Sequence, residues 1–257
     1  MDPLTLIGIV VAFLVIIGSM VLEGGNPMSL VLIGPLVLVF FGTFAVGAAG
    51  NSLPMFISSV KAAGGALLSK PPDYGDTLDT IIKCAEIARR EGLLALEAKT
   101  ASIQDELLRK GLELAIDGTD PGDLSSILEA EVHSNTVYAN RQAKLFSDMG
   151  GYAPTIGIIG TVLGLVNVLG NLSSPSELGH LIAGAFVATL WGVLSANVMW
   201  LPIAAKLKLL ADQRAVAGEV VIQGIMAIQA GSNPRMVDTK LRALLTPDAL
   251  KTLDKAA

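Results

Sequence analysis

Two runs of this 257-residue chain contain no Lys, Arg, Asp or Glu: Tyr152 to Ser176 and Leu178 to Ala205. Each exceeds the roughly 20 apolar residues that carry a helix across a bilayer core, so both are predicted to span a membrane. The break between them, Ser173 to Glu177, is short and polar. It predicts an antiparallel hairpin with its tip in water. Small residues recur along both arms: Gly157, Gly160 and Gly164 in the first, then Gly184, Ala188, Gly192 and Ala196 at four-residue spacing in the second. Faces of this kind let backbones approach closely, and in lipid that packing is what drives helices together.

The rest of the chain suits a membrane protein with a polar insert. Hydrophobic residues make up 52% and charged residues 16%, and the mean hydropathy is +0.61, too apolar for a soluble domain of this size. Two further spans are predicted at about 3–22 and 29–50. All 18 Lys and Arg fall in two blocks, Lys61 to Lys144 and Lys206 to Lys255. By the positive-inside rule these blocks are cytoplasmic, the tips at 23–28 and 171–180 are external, and both termini lie inside. The predicted fold is therefore an all-α membrane protein of four transmembrane helices in two hairpins. Residues 1–50 form the first hairpin, 51–149 an interfacial helix and a cytoplasmic helical insert, 150–205 the second hairpin, and 206–257 a helical C-terminal tail. A cleavable signal peptide over 1–22 is disfavoured by the start Met1-Asp2-Pro3 and by the span that follows.

Taken in order, the first span is expected to be peripheral, and Gly34-Pro35 is expected to kink the second or loosen its hydrogen-bond ladder. Phe56, Val60, Ala63 and Leu67 share one helical face, with Ser59 off it, and Pro71-Pro72 ends that helix. In the insert, Leu78, Ile81, Ile82, Ala85 and Ala88 form an apolar stripe, with Asp76 as the expected cap and Gly92 as the stop. Short helices are predicted over 93–99 and 103–116. Asp120-Pro121 opens a long helix running into the third span, and 206–230 is helical up to the break at Gly231-Ser232-Asn233-Pro234. The single cysteine, Cys84, can form no internal disulfide and is assigned to helix packing.

Catalytic chemistry is not indicated. The two histidines, His133 and His180, and one cysteine do not make a metal site, and no phosphate-binding loop or nucleophile–base arrangement is present. No spanning helix holds a mid-bilayer ionisable group of the kind an ion-coupled machine requires; if the protein helps ions across, the carboxylate must come from a partner helix. What the chain itself offers is oxygen: Thr155, Thr161 and Asn167 in the third span, Thr189, Ser195 and Asn197 in the fourth. Thr161 and Thr189 border the small-residue faces. From the residues alone, simple back-bonding of these threonines to their own helices is the stronger reading.

The run Met149-Gly150-Gly151-Tyr152-Ala153-Pro154-Thr155-Ile156-Gly157-Ile158-Ile159-Gly160-Thr161-Val162-Leu163-Gly164-Leu165 resembles the third span of the flagellar stator family MotA/PomA. Ala188-Thr189-Leu190-Trp191-Gly192, Leu201-Pro202-Ile203-Ala204 and Gly224 to Arg235 extend the resemblance across essentially the whole chain. It implies a non-enzymatic, cofactor-free channel subunit of the bacterial inner membrane, five copies surrounding two copies of a single-span MotB/PomB-type partner whose Asp carries H+ or Na+. Spans three and four would then line the central hole, packing around the partner through the glycines and alanines named above. The resemblance also implies an ion path at Thr161 and Thr189, conformational coupling at Pro154 and Pro202, and contact with the rotor protein FliG through Arg89, Arg90 and Glu97. Ala98 and Lys99 depart from sodium-type relatives, which often carry acidic residues there. Without the resemblance, Arg89 and Arg90 read as cations at a helix C-terminus. An ExbB/TolQ-type energiser of outer-membrane transport or envelope maintenance is the alternative, against which the extra hairpin at 3–50 argues.

Overall fold

The computed structural model describes residues 4–66, 74–173 and 175–256, and every regular element among them is helical. The chain divides into two compact units, Met1–Lys70 with Ala139–Leu209, and Pro71–Tyr138 with Leu210–Ala257.

The first unit holds the apolar helices. Helix α1 (Leu4–Leu22) buries no residue, as expected of a peripheral span. A 3-10 turn, Pro27–Leu30, is capped by Asn26, whose side chain accepts from the Met28 amide. It precedes α2 (Ile33–Ala49), and α3 (Leu53–Ala66) follows. The third predicted span lies inside α7 (Pro121–Gly170). The fourth lies in α8 (Pro175–Ser195), which passes through a π-helical turn, Ala196–Trp200, into α9 (Leu201–Gln229). Three of these helices have the length and composition to cross a membrane, and α2 is a shorter apolar helix of 17 residues. The second span is thus shorter than the predicted 29–50.

Two other expectations are corrected here. Pro35 does not kink α2, because that helix starts only at Ile33; in a first turn the missing N–H would have had no intrahelical acceptor. In α3 the buried residues are Ser59, Ala63 and Ala66, while Val60 is exposed. Ser59 tolerates burial because its hydroxyl donates to the Met55 carbonyl at 2.8 Å, and Phe56 packs edge-on against Phe44. Leu67, Pro71 and Pro72 lie outside the described residues.

Aromatic side chains tie α2 to the hairpin. Trp200 meets Phe40 and Phe44 edge-on, with centroids 6.3 and 5.3 Å away. The Trp191 indole donates to the Leu30 carbonyl at 2.8 Å, which satisfies its polar atom inside an apolar packing layer.

In the second unit, α4 (Tyr74–Glu91) is followed by a 3-10 turn, Leu93–Leu96, then α5 (Glu97–Thr100) and α6 (Glu106–Ile116). The tail adds α10 (Pro234–Arg242) and α11 (Pro247–Ala256). One core joins Leu78, Ile81, Cys84 and Ala85 of α4 to Leu108 and Leu112 of α6, with Ile225 and Ile228 of α9 and Leu241 of α10. Of the predicted α4 stripe, Ile82 and Ala88 are only half-buried, and Cys84 takes a core place instead. Asp76 is not the cap of α4, which begins two residues earlier, but an acid in its first turn, where the helix dipole favours it. The predicted helix 103–116 begins at Glu106 because Asp105 caps it, accepting from the Leu108 amide at 2.9 Å. Gly92 (φ +87°) and Gly231 (φ +65°) end α4 and α9 in the left-handed region that disfavours side chains.

Candidate functional site

The α7 and α8 arms approach so closely that their glycines meet backbone. A methyl group on Gly157 would lie 2.9 Å from the Ala188 carbonyl oxygen and 3.1 Å from the Gly192 Cα. On Gly192 it would lie 2.7 Å from the Ala153 oxygen; on Gly160, 2.6 Å from the Ala188 Cβ; on Gly164, 2.7 Å from the Ala185 Cβ. The small faces of the two arms are thus spent largely on each other within one chain. Ile158, Ile159, Val162, Leu163 and Val166 are exposed residues of α7 beside that seam.

Gly184 does not belong to the seam. Its nearest foreign atom is Leu32 Cδ1 at 3.9 Å, and Ala185, 2% exposed, occupies the place expected of it. The reason is helical pitch: steps of four residues advance about 400° and drift off a face, whereas alternating steps of three and four hold a line. Ala185, Ala188 and Gly192 follow the second pattern, and that alternation is the signal by which Ala185 could have been found. Ala196, 1% exposed, lies in the π-helical turn.

Thr161 and Thr189 come together where the arms cross. Their hydroxyls are hydrogen-bonded to each other. The Thr161 hydroxyl also lies 3.2 Å from the Gly157 carbonyl of its own helix and 3.1 Å from the Ala185 carbonyl of the other. The Thr189 hydroxyl reaches the Gly157 carbonyl at 3.4 Å. Back-bonding is therefore only part of their role. Each hydroxyl has one proton and can accept as well, and each carbonyl has two lone pairs, so four oxygens form a network whose protons can be arranged in more than one way. Both threonines are half-buried, on arms free of Lys, Arg, Asp and Glu.

The two prolines flank the same end of this seam, beyond Gly157 and Gly192, where Gly150 meets Leu201. Pro154 lies inside α7, so the Gly150 carbonyl has no amide donor four residues on. Pro202 is the second residue of α9, directly after the π-helical turn, in which the Leu201 amide donates five residues back to Ala196. A π-turn is a recognised way to relieve a proline in a continuing helix.

Arg89, Arg90 and Glu97 lie in the second unit; all three are exposed, and none has a side-chain hydrogen bond or ion pair among the described residues. Arg89 and Arg90 occupy the last turn of α4, and Glu97 the first turn of α5. Between them Leu94 is 73% exposed, while Leu96 is fully buried and anchors the turn. Leu94 was not expected at this patch; only the 3-10 geometry turns it outward. His133 and His180 are exposed, and among the described residues no group of three His, Cys, Asp or Glu is placed to hold a metal.

Residues 99–219 match the MotA/TolQ/ExbB proton channel family. Motility protein A of Bacillus subtilis (strain 168) is 34% identical over 255 residues, covering 98% of this chain and 94% of that protein. Chemotaxis protein PomA of Vibrio alginolyticus is 33% identical over 245 residues, 95% of this chain and 96% of its own length. Among solved structures, that of C. jejuni MotAB matches with a TM-score of 0.92 at 28% identity, covering 96% of this chain and 97% of that one. The flagellar MotAB stator complex from Bacillus subtilis matches with a TM-score of 0.87 at 32% identity, covering 96% and 98%. The chain belongs to the MotA/TolQ/ExbB proton channel family, as a flagellar stator subunit of the MotA type rather than an ExbB/TolQ-type energiser.

Proposed function

We propose that the chain forms the moving ring of an inner-membrane stator, five copies around two copies of a MotB/PomB-type helix, and turns H+ or Na+ flow into torque. The observation that carries this reading is the Thr161–Thr189 hydroxyl pair, set at a helix crossing that has polar oxygens but no titratable group. A cation crossing here needs a carboxylate from outside the chain, and the partner's aspartate supplies it. The oxygens of Thr161, Thr189, Gly157 and Ala185 border its path and replace part of its hydration.

When the partner's carboxylate gains or loses its cation, the charge facing the hairpin changes. Pro154 and the Pro202 π-turn, where the helical hydrogen-bond ladder is already interrupted, absorb the resulting shift. The charges at Arg89, Arg90 and Glu97 hand the motion to FliG. In this reading the termini and both basic blocks are cytoplasmic.

The test is motor speed in sodium-rich and sodium-free media for Thr161→Val and Thr189→Val, with Thr161→Ser as the variant that keeps the hydroxyl. Loss of speed in the valine variants at normal membrane levels, with recovery in the serine variant, is expected. Unchanged speed of both valine variants in both media removes the pair from the ion path.

A further inference from the structure

A polar pocket of about 320 Å³ opens where α2 ends and α3 begins, and α7 closes it with Arg141, Lys144 and Asp148. All of these residues belong to the first unit. Lys144 and Asp148 are ion-paired, with Nζ 2.5 Å from Oδ2. Among the described residues the Arg141 side chain has no hydrogen bond or ion pair, and neither has the Ser52 hydroxyl on the opposite wall. Two cations against one carboxylate leave the pocket with a net charge of +1.

Its depth identifies the occupant. The apolar helix α2 stops at Ala49, and Asp148 is the last charged residue before the charge-free arm of α7, so the pocket lies at the level where hydrocarbon gives way to headgroups. Starting one residue after Ser52, Leu53, Ile57 and Val60 of α3 form an outward stripe, 71%, 45% and 42% exposed, opposite the buried Ser59, Ala63 and Ala66. Nothing among the described residues covers that stripe, and a helix apolar on this side beside a cationic pocket is the geometry of an interfacial helix. An aqueous anion would satisfy Arg141 but leave the stripe bare. A lipid meets both needs: a phosphate accepts two parallel N–H bonds from a guanidinium, and acyl chains cover the apolar face.

We propose that this pocket seats the phosphate of an anionic phospholipid, held by Arg141 and Ser52, with its acyl chains against Leu53, Ile57 and Val60. Zwitterionic lipids bind more weakly, because their ammonium group is repelled by Arg141 and Lys144. This inference rests on the reading of α2 and α7 as membrane helices, which flotation of the complex with vesicles checks separately.

The experiment uses the full chain with its single-span partner in phosphatidylcholine nanodiscs doped with phosphatidylglycerol, and counts by mass spectrometry the lipid that stays bound after transfer to detergent. Arg141→Gln lowers apparent phosphatidylglycerol affinity about five-fold, the effect of one basic residue at a membrane surface. Asp148→Asn frees Lys144 and raises it by a similar factor, a gain that misfolding cannot mimic. Phosphatidylcholine retention stays constant in both. Equal phosphatidylglycerol retention in all three proteins, or a loss in both variants, overturns the proposal. So does displacement of bound phosphatidylglycerol by millimolar inorganic phosphate, which assigns the pocket to an aqueous anion.

Discussion

Gly157 and Gly192 pack Cα against Cα across the hairpin: a methyl on either would come within 3.1 Å of the other's Cα. The neighbours are backbone atoms, which cannot rotate aside. Helix separation is then the only relief, and it would also pull apart the threonine pair one turn away.

Substituting alanine at either glycine should therefore destabilise the hairpin by about 1–3 kcal/mol, the usual range for overpacking. Gly151 faces open space, with nothing within 4 Å of where a methyl would sit, and Gly151→Ala should be neutral or slightly stabilising through helix propensity. Melting of the purified complex in one detergent compares the three. A Gly157→Ala protein melting with Gly151→Ala and the parent would refute the seam.

Pro202→Ala restores an amide where the chain now passes from π-turn to α-helix. The new N–H can donate to the Val198 carbonyl, which favours regular helix over the turn at Ala196–Trp200. Slower amide exchange across residues 198–206 is expected, together with reduced torque at unchanged membrane levels. Exchange as fast as in the parent protein would separate Pro202 from the turn.

Cys84 is 3% exposed in the core of the second unit, and burial raises its thiol pKa, with Lys99 opposing in part. Alkylation at pH 8 should run more than about ten-fold slower in the native protein than after denaturation, because both thiolate fraction and access fall. A raised native pKa means that the native state holds its proton more tightly than the unfolded chain. The stabilisation is complete below the ordinary thiol value and is lost as pH rises through the native one. Cys84→Ala should remove that alkaline loss, which pH-dependent melting of parent and variant measures.

Reversing charge at Arg90 should cost roughly 1 kcal/mol of stability, the scale of a surface charge turned against a helix C-terminus, because its side chain has no partner among the described residues. Torque at high load should nevertheless fall. Leu94→Ala, at the exposed centre of the patch, should weaken it further if the patch docks through an apolar anchor ringed by charge. Stall torque of bead-loaded motors is the measurement, and full torque from Arg90→Glu at equal stator occupancy counts against rotor contact there.

Sequence alone was sufficient for whatever depends on local periodicity and on the cost of placing charge in lipid. The charge-free arms 152–176 and 178–205, the stops at Gly92 and Gly231 and the long helix opening at Pro121 are all of this kind. It was insufficient wherever two faces compete for burial. Whether α3 turns Val60 or Ser59 inward depends on what lies opposite, and a serine that bonds its own helix can be buried at little cost. The choice of Ala185 over Gly184 follows from the line along which two helices touch, which only their crossing defines. That same crossing makes a hydrogen-bonded pair of Thr161 and Thr189, 28 residues apart, because hydroxyls that could each have settled on their own backbone are brought within reach of one another by glycines too small to keep the helices apart.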